Sequence, residues 1–384
     1  MTMQRQASGS CRSVRRSGFV LVTMALTTAG VLAVAGLAVD IGRVLIAKSE
    51  TQAYCDAAAV AAAMSLDGTS AGITRAVNAV AASPNKWSFG TAGVSNPAVK
   101  FATSAAGPWL ASPNPATGYA YAQVAATVSV PLYFLPLVAG PSTFAVTSAG
   151  AAGQVPISSL SQGLAPYTAV STNTAEPDFG LVAGNSYTIH WPTFNGNRAG
   201  CGPGNPSKCF NSDPCPDDSD ASMMAVVDNW GSQYHGYWGS NSASQLAAEV
   251  LNTIQLAPLA VGANIAPLLT PGNKQSEAGV LDERASQDTD TSDETPSSYL
   301  ANPSHNGRRL LPVAIVDPVD STHTNVVGYG QFLLSANGSP SNYYKKNTNG
   351  NSPYCATYVG PYNIGSLSQG VGGSTGASWT RLVQ

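Results

Sequence analysis

The chain has 384 residues, of which only 10% are charged, and its 18 Lys and Arg against 21 Asp and Glu leave a net charge of -3. A typical soluble domain carries about 25% charged residues, so few surface ion pairs are possible here. With no sustained basic run after residue 16 there is no electrostatic footprint for a phosphate backbone, which excludes nucleic acid as an expected partner.

Residues 1–17 form a basic tail, with Arg5, Arg12, Arg15 and Arg16 and no acid. Gly18 to Val39, GFVLVTMALTTAGVLAVAGLAV, holds no charge, and its 22 residues at about 1.5 Å each reach about 33 Å as a helix, the depth of a bilayer's hydrocarbon core. A buried helix of a soluble domain is usually shorter and shows a polar face. The arginines before this run resist translocation, whereas residues 40–56 set Asp40, Glu50 and Asp56 against Arg43 and Lys48. The positive-inside rule then places the N-terminus in the cytoplasm and everything after Val39 outside. The competing reading is a signal peptide cleaved after Ala35, in the small-x-small sequence Ala33-Val34-Ala35, although the apolar run exceeds the usual length of about 7–15 residues. Ala25, Ala29 and Ala33 recur every four residues, which gives a face of small side chains that either meets another spanning helix or lies in lipid.

Residues 40–82 read as helical. Asp40 to Met64 contains no Pro and one Gly and is rich in good helix formers. Ala53, Ala57, Val60, Ala61 and Met64 share one narrow face, suited to close helix contact. Asp67 and Gly68 end this helix, and Ser70 is expected to cap a second one running to about Ala82, before Ser83-Pro84 stops it.

The segments RRSGFVLVTMAL and GLAVDIGRVLIAKSETQAYCDAAAVAAAMSLDG resemble the N-terminus of TadE/TadG-like proteins of Flp (tight adherence) pilus assembly. The shared pattern is an apolar helix, a G-L-A-V-D-x-G-R step and an Ala-rich D-A-A-A-x-A-A-A segment. AYAQVAATVSVPLYFLPLVAG and FAVTSAGAAG continue the resemblance to about residue 153, and TPGNKQSEAGVLDER, RRLLPVAIVDP and VVGYGQFLL are shorter likenesses to large TadG-like ectodomains. The resemblance implies a bitopic component of the bacterial inner membrane with its bulk periplasmic or extracellular. It also implies partners among pilus or secretion assembly proteins, and no catalysis, cofactor or small-molecule substrate. Two departures stand out. Thr23 occupies the position where pseudopilin-type members place a Glu, five residues after the processing glycine, here Gly18, so that processing is not carried over. The D-x-S-x-S metal loop of some larger members does not occur in the sequence.

From about Val99 the periodicity changes to short β-branched and aromatic runs bounded by Gly and Pro, and residues 83–153 read as strand-rich. LYFLPLVAG, flanked by Pro131 and Pro141, is too short and broken to span a membrane again, so it is expected to be buried or at an interface. Residues 154–384 alternate strand-like runs with Gly/Ser/Asn loops and one helix from Ser242 to about Gln255. The expected fold class is α+β, an N-terminal membrane helix continuing into an Ala-rich helix and then a strand-rich extracytoplasmic domain.

Cys201, Cys209, Cys215 and Cys355 fall in this exported part and read as disulfide formers, with Cys201 joined to Cys209 or Cys215 and the remaining one to Cys355. Cys11 and Cys55 read as thiols outside that set. Acids cluster at Asp213, Asp217, Asp218 and Asp220 and again at Asp282, Glu283, Asp288, Asp290, Asp293 and Glu294. The second cluster opens like a calcium loop, but Asp293 takes the place of the required Gly, so solvated acidic loops compete with calcium there. Gly372, Ser374 and Gly376 satisfy G-x-S-x-G, yet the surroundings are Gly/Ser-rich and no His follows, which argues against a hydrolase elbow. A secreted or surface-exposed adhesive module, released by cleavage after Ala35, is the alternative function.

Overall fold

The computed structural model describes residues 17–84, 94, 97–138, 140–191, 199, 215, 234–239, 242–271, 276–292, 295–317, 324–336, 354–365, 370, 371 and 374–383. Helix α1 runs unbroken over Ser17–Met64, 48 residues, and α2 over Ser70–Ala82. The start of α2 corrects the expected cap by one position. Thr69, not Ser70, is the N-cap, because its hydroxyl accepts the Gly72 N–H at 3.1 Å. Asp67 supports the same turn by accepting the Thr69 N–H at 2.9 Å and pairing with Arg75.

The chain divides into two compact units, and the division runs through α1 and through two long strands. The first unit comprises residues 1–54, 84–97 and 125–148. It holds most of α1, the end of β2 (Tyr121–Pro131), the beginning of β3 (Thr143–Pro156) and the connection between these strands, which includes a 3-10 turn at Leu135–Val138. Ala47, Val130 and Val146 bury together here with Val44 against them, and the Lys48 ammonium donates to the Thr147 carbonyl at 2.5 Å.

The second unit comprises residues 55–83, 98–124 and 149–384. Its remaining strands are β1 (Ala98–Ala102), β4 (Ser159–Leu160), β5 (Thr168–Val170), β6 (Ser186–His190), β7 (Tyr234–Trp238), β8 (Leu259–Ala260), β9 (Leu269–Pro271), β10 (Leu310–Val316), β11 (Val326–Leu333), β12 (Tyr354–Ile364) and β13 (Ala377–Leu382). The main sheet has the order β1-β2-β3-β13-β12-β11-β10-β5, with β6 also paired to β12. Strand β10 is antiparallel to β11 and parallel to β5, while β12 is parallel to β13. Strand β13 pairs antiparallel with β3, Trp379 opposite Val155, so residues 152–156 and 378–382 lie side by side inside the sheet. The boundary expected at residue 153 lies inside β3.

Among the described residues three helices accompany the sheet: α3 (Ala243–Asn252), α4 (Ser276–Ser286) and α5 (Pro296–Ala301). The first matches the helix expected from Ser242, which is its N-cap. Strand β10 explains why LLPVAIV reads as a continuous apolar run: all seven of its residues are buried. Alternate side chains of a strand point to opposite faces. Leu311, Val313 and Ile315 therefore join Leu246 and Val250 of α3 and Leu281 of α4 on one face. Ala314 and Val316 join Trp191, Trp238, Leu259 and Ile265 on the other. Burying each large apolar side chain contributes about 1.5–3 kcal/mol, so a strand covered on both faces is where the unit's stability concentrates. The mixed helix and strand content is the expected α+β class.

Candidate functional site

The first unit carries the most distinctive geometry. Phe19, Leu21, Met24, Leu26, Leu32 and Val34 of α1 are all exposed, Phe19 to 75%, so the apolar half of the helix is largely uncovered by the described residues. By length and composition this helix is a candidate membrane span. At the C-terminal end of that apolar run Asp40 is buried and its carboxylate accepts three successive backbone N–H groups of the β2–β3 connection. They are Tyr133 at 3.0 Å, Phe134 at 2.9 Å and Leu135 at 2.7 Å. Consecutive N–H groups converging on a carboxylate make the arrangement that caps a helix, here supplied from 93 to 95 residues away.

One turn earlier, Gly36 lets the Phe134 ring lie on the helix backbone: a Cβ there would stand 2.5 Å from the ring carbons. Nearly one turn later, the Arg43 guanidinium sits over the Tyr133 ring, 4.4 Å from its centroid. Gly36, Asp40 and Arg43 are the G, the D and the R of the G-L-A-V-D-x-G-R step, spaced four and three residues apart on one helix face. Sequence reasoning placed this step on the helix but missed what it holds. The available signal was the buildup of uncharged aromatic and aliphatic residues in PLYFLPLVAGP together with a lone Asp just after the uncharged run of the helix. Between α1 and the connection lies an apolar groove of about 510 Å³, lined by Ala29, Leu32, Ala33, Leu37, Phe134 and Leu137 among others.

The expected helix-packing residues are placed as follows. Ala25, Ala29 and Ala33 are exposed, and the last two line the groove. Ala53 and Ala57 are exposed and Ala61 half-buried. The face that α1 buries in the second unit is the opposite one, Cys55, Ala58, Ala59, Ala62 and Ala63, each at 0% exposure. Two contacts fix that face. Gly150 of β3 meets the helix so closely that a Cβ would lie 2.8 Å from the Asp56 nitrogen. The Gln154 amide donates to the carbonyls of Ala63 at 2.8 Å and Leu66 at 2.7 Å, capping the end of α1. Its oxygen accepts the Val371 N–H at 2.7 Å.

Of the cysteines, Cys215 and Cys355 are joined in a disulfide. This is one of the expected pairings of Cys355, and Cys201, Cys209 and Cys11 lie outside the described residues. Asp213, Asp217, Asp218, Asp220, Asp293 and Glu294 lie outside them as well. Asp288 and Asp290 are buried, and their oxygens are engaged by protein donors. Asp288 accepts the Tyr299 hydroxyl at 2.5 Å and the N–H groups of Asp290 and Arg309 at 2.9 Å each. Asp290 accepts the Ser292 N–H at 3.0 Å and the Asn302 amide at 2.8 Å. The Arg309 side chain closes the network on the carbonyls of Leu334, Asp290 and Ser292. Two acids for which a solvated loop and a calcium loop competed in the sequence, Asp288 and Asp290, thus organise a hydrogen-bonded hub between α4, α5 and β10.

Burial opposes ionisation of Asp288, but the Tyr299 hydroxyl and the backbone donors outweigh it and hold the carboxyl below the usual range. Burial, then the bond to Asp288, pushes the Tyr299 hydroxyl up. His305 stacks against Tyr299 with centroids 4.4 Å apart, and burial lowers its imidazole although Asp288 and Asp290 pull the other way. Ser374 of the G-x-S-x-G sequence is exposed, and the chain turns through Thr375 and Gly376 into strand β13, where a hydrolase elbow leads into a helix. No group of three or more metal-binding side chains occurs among the described residues.

A long N-terminal helix, bare and apolar in its first half and built into a strand-rich domain in its second, defines the class: an α+β chain with a candidate membrane span at its N-terminal end. Residues 18–65 match the family model described as "Putative Flp pilus-assembly TadE/G-like", a segment that coincides with α1 almost end to end. The likenesses read in the sequence beyond residue 65 fall outside the matched segment. No curated protein and no solved structure matches the chain.

Proposed function

We propose that the chain is a membrane-anchored component of Flp/Tad-type pilus assembly, with its N-terminus in the cytoplasm, its ectodomain exported and no catalysis of its own. One observation carries this reading. The matched segment is a continuous helix whose apolar half is unburied, and its Ala-rich half buries one face while leaving Ala53 and Ala57 exposed on the other. A helix that buries one face in its own domain and presents small side chains on the opposite face suits close contact with a helix of another assembly protein. The envelope location also fits the Cys215–Cys355 disulfide, since such bonds persist in oxidising compartments.

Cleavage after Ala35 would cut α1 within its unbroken course, one residue before Gly36 takes the Phe134 ring. Membrane fractionation with protease access from each side tests the anchored reading. The expected result is full-length membrane-bound protein whose ectodomain is cut only from outside. N-terminal sequencing that finds Gly36 as the first residue, or full-length protein soluble in the cytosol, would overturn it. Photo-crosslinking from Ala53 and Ala57 is expected to capture pilus or secretion proteins, and capture of none would remove the assembly role.

A further inference from the structure

The connection from Leu132 to Pro141 carries no charge, yet Tyr133 is 57% exposed, Phe134 41% and Leu137 79%. An exposed cluster of this kind on a soluble surface is an association liability. Its position relative to α1 gives it a specific occupant. Phe134 rests on Gly36, and Leu137 lines the groove with Ala29, Leu32 and Ala33. Along the helix, residues 33 and 29 lie about 9 and 15 Å below Val39, where the uncharged run ends. If α1 spans a bilayer, the connection reaches hydrocarbon depth beside it.

Irregular backbone is tolerated at that depth only when its polar groups are satisfied internally. The N–H groups of residues 132–137 meet that condition. The N–H groups of Tyr133, Phe134 and Leu135 go to Asp40, and that of Leu132 goes to the Ser142 carbonyl at 2.9 Å. The Leu137 N–H reaches the Phe134 carbonyl at 3.0 Å, and Pro136 has no N–H to satisfy. Tyr133, with a polar tip and with Arg43 over its ring, has the form of an interfacial aromatic anchor just above.

We propose that residues 132–138 are a second membrane-inserted element: a hairpin tip that enters the outer leaflet beside α1 and packs on lipid acyl chains, fastened by Asp40 and Gly36. This inference rests on the reading of α1 as a spanning helix, and the test separates the two. Full-length protein is reconstituted into vesicles of phosphatidylethanolamine and phosphatidylglycerol with a photoreactive benzophenone side chain at Leu137, at Leu32 of the span, or at the exposed Val182 of the second unit. The expected products are lipid adducts from positions 137 and 32 and none from 182. Lipid adducts from 32 but not 137, or crosslinks from 137 to a second protein chain in place of lipid, would overturn the insertion and leave the anchor standing. No lipid adduct from either position would remove both.

Discussion

Asp40 does for the Tyr133–Leu135 backbone what a capping side chain does for the first turn of a helix, with the difference that it reaches across to a segment remote in sequence. Replacing it by Ala leaves three N–H groups without their acceptor, and amides 133–135 are expected to lose hydrogen-exchange protection roughly tenfold or more while β10 and β11 are unaffected. Unchanged protection would show that the carboxylate does not fasten the connection. The sequence made Asp40 visible as part of a family-like step, but its partners could not be read there, because a contact between positions 40 and 133 depends on how β2 leads the chain back to the helix. The acids at 288 and 290 show the same limit in reverse. Their spacing suggested a cation, whereas the donors that occupy them, Tyr299, Asn302 and the Arg309 backbone, come from α5 and the start of β10.

Elements were legible where their period was clean and obscure where Pro and Gly interrupted it. Strand β10 stands out as an apolar run despite Pro312, while β12, YCATYVGPYNI, hides behind Gly360 and Pro361 although it is buried along almost all its length. Helix α5 hides because only six residues form it, with Thr295 as its cap. The hub between α4, α5 and β10 has a pH signature. Asp288 is depressed in the fold, so its contribution is complete above the unfolded value of about 3.9 and is lost as pH falls below it. His305 is also depressed. Its contribution is complete above about 6.5 and falls away as acidification forces a charge onto the half-buried ring. Thermal denaturation is therefore expected to show stability declining below pH 6.5 and again below 4. Tyr299→Phe is expected to cost about 1–3 kcal/mol near neutral pH and to shrink the decline below pH 4, because Asp288 loses a donor and its folded value returns toward the unfolded one. A variant with an unchanged acid limb would refute this account. At the seam between α1 and β3, Gly150→Val forces a side chain into the helix backbone, and a loss of about 1–3 kcal/mol is expected by chemical denaturation.

At the scale of the molecule, the disulfide joins residues 140 apart in sequence and ties Cys215 to β12 in the middle of the sheet. Cross-links that close long loops restrict the unfolded chain most, so reduction, or Cys355→Ala, is expected to cost about 2–5 kcal/mol, read as a lower melting temperature. Equal melting temperatures with and without reductant would count against it. The fold class and several individual strands, β2, β3, β6, β10 and β11 among them, were legible from short β-branched and aromatic runs. The way the sheet is closed was not, since strand order reflects pairings between residues more than 200 positions apart, as for Thr380 and Gln154.

That closure has a consequence for biogenesis. Strand β13, made from residues 377–382, lies between β3 and β12, so two open edges wait for a late-synthesised segment to fill the gap. Until residues 377–382 are in place the sheet stays in two parts, so loss of that one strand is felt on both sides of the gap at once.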